Sequence, residues 1–200
     1  MTQINRQVIM KTRPVGMPTL ENFKIIESSL PELRHGEVLI KILWLSLDPY
    51  MRGRMSTAKS YAASINEGDV IIGGAVGKII NSNTEQYKEG DIVEGFTLGW
   101  QEYAIATPAS IRKIDPNLAP IQTAVGVLGM PGMTAFFGLL HIGKPIPGDT
   151  VVVSAASGAV GQLVGQIAKI AGCYVVGIAG GKEKCSFITE TLNFDAAIDY

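Results

Sequence analysis

Apolar and polar positions follow one another in short runs over the first 120 or so residues of the chain. Residues 6–11 (RQVIMK), 23–28 (FKIIES) and 37–47 (EVLIKILWLSL) are rich in β-branched and aromatic side chains. Residues 69–80 (DVIIGGAVGKII), 91–96 (DIVEGF) and 101–106 (QEYAIA) continue the pattern. Turn formers punctuate these runs: Pro14, Gly16, Pro18, Pro31, Gly36, Gly68 and Gly90. Many short strands bounded in this way predict a compact barrel or sandwich. Gly73, Gly74 and Gly77, inside one strand pattern, predict bulges or a close backbone approach.

The pattern changes near Pro116. Residues 121–143 form a long apolar stretch, interrupted at Met130-Pro131-Gly132, which predicts one helical segment on each side of the interruption. A turn at Pro147-Gly148 leads into an apolar strand at Val151–Val153. After Gly158, apolar residues at Val160, Leu163, Val164, Ile167, Ala168 and Ala171 fall on one helical face, with Gly172 as its end signal. A second buried strand follows at residues 174–179. Next come a helix with Cys185, Ile188 and Leu192 inward and a third strand from Ala196. Strand–helix–strand–helix–strand order predicts a parallel sheet. The chain therefore divides into a β-rich part, residues 1–120, and an α/β part, residues 121–200.

The chemistry concentrates where the first α/β strand meets its helix. A pyrophosphate is best held at such a junction, because free backbone N–H groups and the helix dipole both favour an anion there. The usual dinucleotide fingerprint is Gly-x-Gly-x-x-Gly. Here Ala156 stands at its first position, and Gly158 and Gly161 hold the second and third. The stretch reads as a pyrophosphate turn; tight helix–strand packing without a ligand is the competing reading. NAD sites place an acid about 20 residues further on, at the end of the second strand. That strand ends in Gly180 and Gly181, followed by Lys182, Glu183 and Lys184. Loss of the acid and gain of cations suit a 2′-phosphate, hence NADP(H). Solvated lysines at a helix start, or Glu183 serving as the acid, are the alternatives.

Composition excludes several other functions. Lysine and arginine number 17 against 18 aspartate and glutamate, a formal net charge of −1 at pH 7, and no dense basic run occurs. A nucleic-acid-binding face is therefore not indicated. No apolar run approaches the length of a membrane span. Two cysteines are too few for a disulfide framework and suit a reducing cytoplasm. Cys173 and Cys185 lack ligand-pair spacing. His35 in a turn and His141 near a helix end read as surface or capping residues, so no metal site is expected.

Four motifs together carry a family resemblance: residues 45–55 (LSLDPYMRGRM), 126–140 (GVLGMPGMTAFFGLL), 155–185 (AASGAVGQLVGQIAKIAGCYVVGIAGGKEKC) and 194–200 (FDAAIDY). The chain resembles the medium-chain dehydrogenase/reductase superfamily. Within it, the likeness is to the zinc-free leukotriene hydroxydehydrogenase, prostaglandin reductase and curcumin reductase group. That resemblance implies a GroES-like catalytic domain followed by the first half of a Rossmann doubly wound domain. It also implies NADPH-dependent reduction of the carbon–carbon double bond of an α,β-unsaturated ketone or aldehyde, and a homodimer in the full-length form.

Carried over residue by residue, the resemblance assigns Gly158, Ala159, Val160 and Gly161 to the pyrophosphate turn. It assigns Lys184 to the adenosine phosphate and Tyr200 to the same ribose. Met130 and Thr134 fall where the family's helix meets the nicotinamide; core packing is their alternative. Tyr50 and Arg52 are candidate substrate contacts, Tyr50 as hydroxyl donor and Arg52 as an anion-binding fork, with a purely structural loop as the alternative. Asn193 stands where relatives have Gly, and Asn tolerates the left-handed conformation expected there. The resemblance further implies that these 200 residues are an incomplete piece of a longer enzyme, inactive alone. A non-catalytic NADPH-binding or interaction module is the alternative function.

Overall fold

The computed structural model describes residues 4–30 and 32–200, so the turn expected at Pro31 lies outside the described residues. The chain forms two compact units, one ending at Val125 and the other beginning at Gly126.

The first unit is β-rich. Strands β1 (Ile4–Met10) and β2 (Phe23–Ser29) pair antiparallel as a hairpin. A five-stranded antiparallel sheet contains β3 (Val38–Leu45), β4 (Ala75–Ser82), β5 (Ile92–Gly95), β6 (Tyr103–Ala106) and β7 (Arg112–Ile114), in the order β6-β3-β4-β5-β7. Buried Asn5 ties the hairpin to this sheet. Its side-chain amide donates to the Tyr103 carbonyl at 2.9 Å and its side-chain oxygen accepts from the Tyr103 N–H at 3.0 Å. One asparagine thus both donates to and accepts from the backbone of a single sheet residue. Val38, Ile40, Ala75, Ile79 and Val93 form the centre of the core. Two carboxylates are nonetheless buried here, Asp91 just before β5 and Glu94 on it. Asp91 pairs with Lys113 at 2.7 Å and Glu94 with Arg112, both partners being on β7, as buried charges require. Burial pushes the Asp91 carboxyl up, but its bonds to Lys113 and the Lys88 N–H outweigh that and hold it below its usual value.

The run at residues 69–80 is only half strand. Residues 69–74 form an irregular segment whose backbone bonds reach β1 and the Gly99–Trp100 turn. The reason lies at Gly73, where a Cβ would come within 2.9 Å of the Met51 side chain and 3.1 Å of the Trp100 ring. Gly77 does mark a close approach. A Cβ there would lie 2.3 Å from Ile40 and 2.6 Å from the Lys41 carbonyl, beside register shifts between β3 and β4. β7 was not expected from the sequence; three residues carry too little pattern.

The second unit is the expected parallel sheet. β8 (Thr150–Val153), β9 (Tyr174–Ala179) and β10 (Ala196–Asp199) are parallel in the order β10-β9-β8. Short helix α1 (Tyr50–Arg54) belongs to the first unit; α2 (Met130–Phe136), α3 (Gly161–Ile170) and α4 (Lys182–Ser186) belong to the second. Pro131 does not divide two helices, as the sequence suggested, but sits in the first turn of α2, where its missing N–H costs nothing. α2 widens into π-type turns at Phe137–Gly143, and α4 does so at Phe187–Thr191. The other helical segment is a 3₁₀ stretch, Ile121–Val125.

What brings α3 onto the sheet is the absence of side chains. A Cβ on Gly165 would lie 1.8 Å from the Phe194 ring, and one on Gly177 would meet Ile188 at 2.4 Å and Phe194 at 2.9 Å. Phe194, 4% exposed, therefore fills the space two glycines leave. Asn193 turns the chain into it at φ +58°, the left-handed conformation expected of it. The next residue, Asp195, accepts from the Val175 N–H at 2.6 Å and from Lys169 at 2.7 Å. These bonds, Lys169 first, hold its carboxyl below the usual carboxylate range.

Two outcomes follow. Gly165→Ala forces the Phe194 ring aside and destabilises the second unit by about 1–3 kcal/mol, the usual cost of overpacking. Urea unfolding measures it, and Phe194→Leu added to Gly165→Ala recovers part of the loss. The depressed Asp195 pKa contributes stability that is complete above the unfolded carboxyl value and is lost as pH falls through the folded one. The urea midpoint therefore drops more steeply on acidification below about pH 4 in the parent than in Asp195→Asn, which lacks the titrating group.

Candidate functional site

Because β8, β9 and β10 are parallel, their carboxyl ends share one edge of the sheet. The segments leaving that edge are the glycine turn after Val153, Gly180-Gly181 after Ala179, and Tyr200 after Asp199. Ligands of open α/β sheets bind at this edge. Within the second unit, Gly158, Ala159, Val160, Gly161, Lys184 and Tyr200 all lie on segments that leave this edge.

The turn is wound tightly. Ala155 adopts the left-handed conformation at φ +47°, one residue before the position where the fingerprint has its first glycine. Ala156, by contrast, is fully buried, and its N–H bonds the Ile178 carbonyl at 3.0 Å. The Gly158 N–H closes the turn on the Ala155 carbonyl at 2.9 Å. A Cβ on Gly161 would lie 2.4 Å from that carbonyl oxygen, so no other residue fits. Among the described residues, the N–H groups of Ala159, Val160 and Gly161 find no acceptor. Three free donors at the start of a ten-residue helix fit a pyrophosphate.

The second segment carries the charge. Gly181 precedes α4 with φ +88°, and its N–H donates to the Asp199 carboxylate at 2.6 Å. The Tyr200 ring lies against Gly180, where a Cβ would come within 3.3 Å of it. Lys182, Glu183 and Lys184 are exposed, and among the described residues none of them is in an ion pair. Asp199 was not singled out from the sequence. Its signal was an acid closing the third strand, brought beside two lysines only by the strand order. On α2, Thr134 is exposed and donates to the Met130 carbonyl at 2.7 Å, while Met130 is half-buried.

Tyr50 and Arg52 lie on α1 of the first unit, two residues apart, and so point to different sides of the helix. Arg52 donates to the carbonyls of Gly16 at 2.8 Å and Pro14 at 3.2 Å, which fastens the loop at residues 14–16. Its donors thus serve backbone carbonyls, not the carboxylate partner that a structural reading anticipated. Tyr50 is half-buried. Burial and then the nearby Asp48 charge push its phenol up, against the Gly74 backbone and Arg54. The phenol is therefore protonated at neutral pH and able to donate. Asp48 itself accepts from the Ser46 hydroxyl at 2.5 Å.

His141 packs on the Phe137 ring with centroids 4.9 Å apart. Cys173 is buried and Cys185 half-buried, both as free thiols. Among the described residues no group of three His, Cys, Asp or Glu side chains is placed to hold a metal ion, and no helix is long and apolar enough to cross a membrane.

Residues 6–114 match the family described as the N-terminal domain of oxidoreductase. The chain belongs to that oxidoreductase family. Its relatives place it in the zinc-free group of the medium-chain dehydrogenase/reductase superfamily. The chain is 46% identical over 198 residues to the NADPH-dependent curcumin reductase of Escherichia coli (strain K12), covering 99% of this chain and 57% of that one. It is 43% identical over 188 residues to prostaglandin reductase 1 of Rattus norvegicus, covering 92% and 54%. The crystal structure of CurA from Vibrio vulnificus in complex with NADPH superposes with a TM-score of 0.92 at 49% identity, covering 98% of this chain and 58% of that one. The chain thus spans a little over half the length of these relatives.

The Tyr50 environment is directly measurable. Asp48→Asn removes the negative charge that helps raise the phenol, so the Tyr50 component moves to lower pH in a phenolate absorbance titration. Tyr50→Phe removes that component altogether.

Proposed function

We propose that this oxidoreductase is an NADPH-dependent reductase of the carbon–carbon double bond of α,β-unsaturated ketones and aldehydes. The observation that carries the reading is the carboxyl edge of the parallel sheet. Three free backbone N–H groups lie after β8, and two exposed lysines, without an acid at the strand end, lie after β9. Relatives at 46–49% identity named as NADPH-dependent or solved with NADPH support it.

Bound NADPH would supply a hydride to the β-carbon of the enone. The chain's own residues do the rest of the work. Ala159, Val160 and Gly161 offer their N–H groups to the pyrophosphate at the positive end of α3. Lys184 offers its ammonium to the 2′-phosphate, with Tyr200 beside the same ribose. Met130 and Thr134 on α2 are the proposed nicotinamide contacts. Tyr50, held protonated, donates to the substrate carbonyl, where negative charge accumulates as hydride arrives. Arg52 contributes by holding the loop at residues 14–16 against α1. A homodimer and a reducing cytoplasmic setting, in which Cys173 and Cys185 remain thiols, belong to the same reading.

Fluorescence titration with reduced nicotinamide cofactors tests it. NADPH binds more tightly than NADH, and Lys184→Ala weakens NADPH by about tenfold while leaving NADH unchanged, the worth of one charge-assisted contact. Equal affinities in the parent would sink the NADPH assignment. Enone-dependent loss of nicotinamide absorbance then tests catalysis; NADPH binding without turnover favours the binding-module alternative.

A further inference from the structure

An acid at the end of β10 is out of place if the neighbouring lysines bind a phosphate. Asp199 adds negative charge beside the segment that carries Lys182 and Lys184, and it forms no ion pair with either. Its bond is to backbone instead: the carboxylate accepts from the Gly181 N–H at 2.6 Å. Gly181 stands at φ +88°, a conformation that only glycine adopts freely, immediately before α4. Without a restraint, a glycine pair at this point would sample several conformations, and the lysines that follow would move with it.

The adjoining pair of residues completes the grip. Asp199 and Tyr200 are consecutive at the end of β10, and Gly180 and Gly181 are consecutive after β9. The carboxylate holds the N–H of Gly181, and the ring of Tyr200 covers Gly180. β9 and β10 are in parallel register up to Asp199↔Ala179, so the sheet itself delivers both residues to this place. A side chain at Gly180, the position at which an NAD site would carry its acid, would press on the Tyr200 ring, 3.3 Å from its Cβ.

We propose that Asp199 is a positioning residue for the phosphate subsite. By fixing Gly181 it sets the direction in which Lys184 leaves the sheet edge, and so confers selectivity for a ribose 2′-phosphate without touching it. This rests on the reading of the edge as an NADPH site. The rival role, an acid that binds the ribose hydroxyls directly, predicts a different pattern.

Two ligands separate the roles in the 200-residue chain: 2′,5′-ADP, which carries the phosphate, and 5′-AMP, which does not. Calorimetric titration of Asp199→Ala shows affinity for 2′,5′-ADP reduced by about tenfold, with 5′-AMP unchanged. Asp199→Asn, which keeps the accepting oxygen, stays within about threefold of the parent. Amide exchange at Gly181 reads the clamp without any ligand: faster in Asp199→Ala, parent-like in Asp199→Asn. Should Asp199→Ala fail to fold, Asp199→Asn alone decides, because loss of its phosphate preference or of Gly181 protection overturns the proposal. Equal weakening of both ligands by Asp199→Ala overturns it in favour of the ribose acid. Unchanged Gly181 exchange in Asp199→Ala overturns the clamp while leaving the NADPH reading intact. A parent chain that does not distinguish 2′,5′-ADP from 5′-AMP, with Lys184→Ala without effect, overturns the NADPH reading and the proposal with it.

Discussion

The second unit depends on how closely one helix approaches one strand. Gly165 on α3 and Gly177 on β9 leave a space that the Phe194 ring fills. That contact fixes the depth at which α3 sits, and therefore where its first N–H groups stand relative to the end of β8. Gly161 repeats the requirement one turn earlier, against the Ala155 carbonyl. A methyl group at Gly165 or Gly177 would displace the Phe194 ring, and one at Gly161 would open the turn against the Ala155 carbonyl. The free donors are a by-product of packing: a helix drawn this close begins in a tight turn, and among the described residues that turn leaves the N–H groups of Ala159, Val160 and Gly161 without acceptors.

The short segment from Asn193 to Asp195 secures the same contact from the other side. Asn193 turns left-handed, Phe194 goes into the core, and Asp195 binds the Val175 N–H and Lys169. One residue triplet thus ends a helix, fills the core and joins α3 to the start of β9. Directly after this triplet, β10 brings Asp199 and Tyr200 to the Gly180-Gly181 turn. Stability and the candidate site share β10, so a change that shifts its register disturbs both.

The first unit solves a different problem, that of joining a hairpin to a sheet. Asn5 supplies with its side chain two hydrogen bonds to the backbone of Tyr103. Arg52 performs a comparable task for the loop at residues 14–16. Both are polar side chains that satisfy backbone groups, and neither role is visible in a pattern of apolar positions. The same limit explains residues 69–74, whose apolar residues read as strand although Gly73 is pressed against Met51 and Trp100.

From the sequence by itself came the β-rich first part, the parallel βαβαβ order of the second, the glycine turn and the lysines after β9. These are local signals: period, turn chemistry and the residue types that a phosphate requires act over a few neighbouring positions. Tertiary structure alone decided that Ala155, and not Ala156, carries the left-handed turn, that Pro131 opens a helix, and that Arg52 holds a loop. It also decided that Asp199 meets Gly181, a pairing across 18 residues. Such pairings arise from strand order and register, which bring together residues whose separation along the chain carries no pattern of its own.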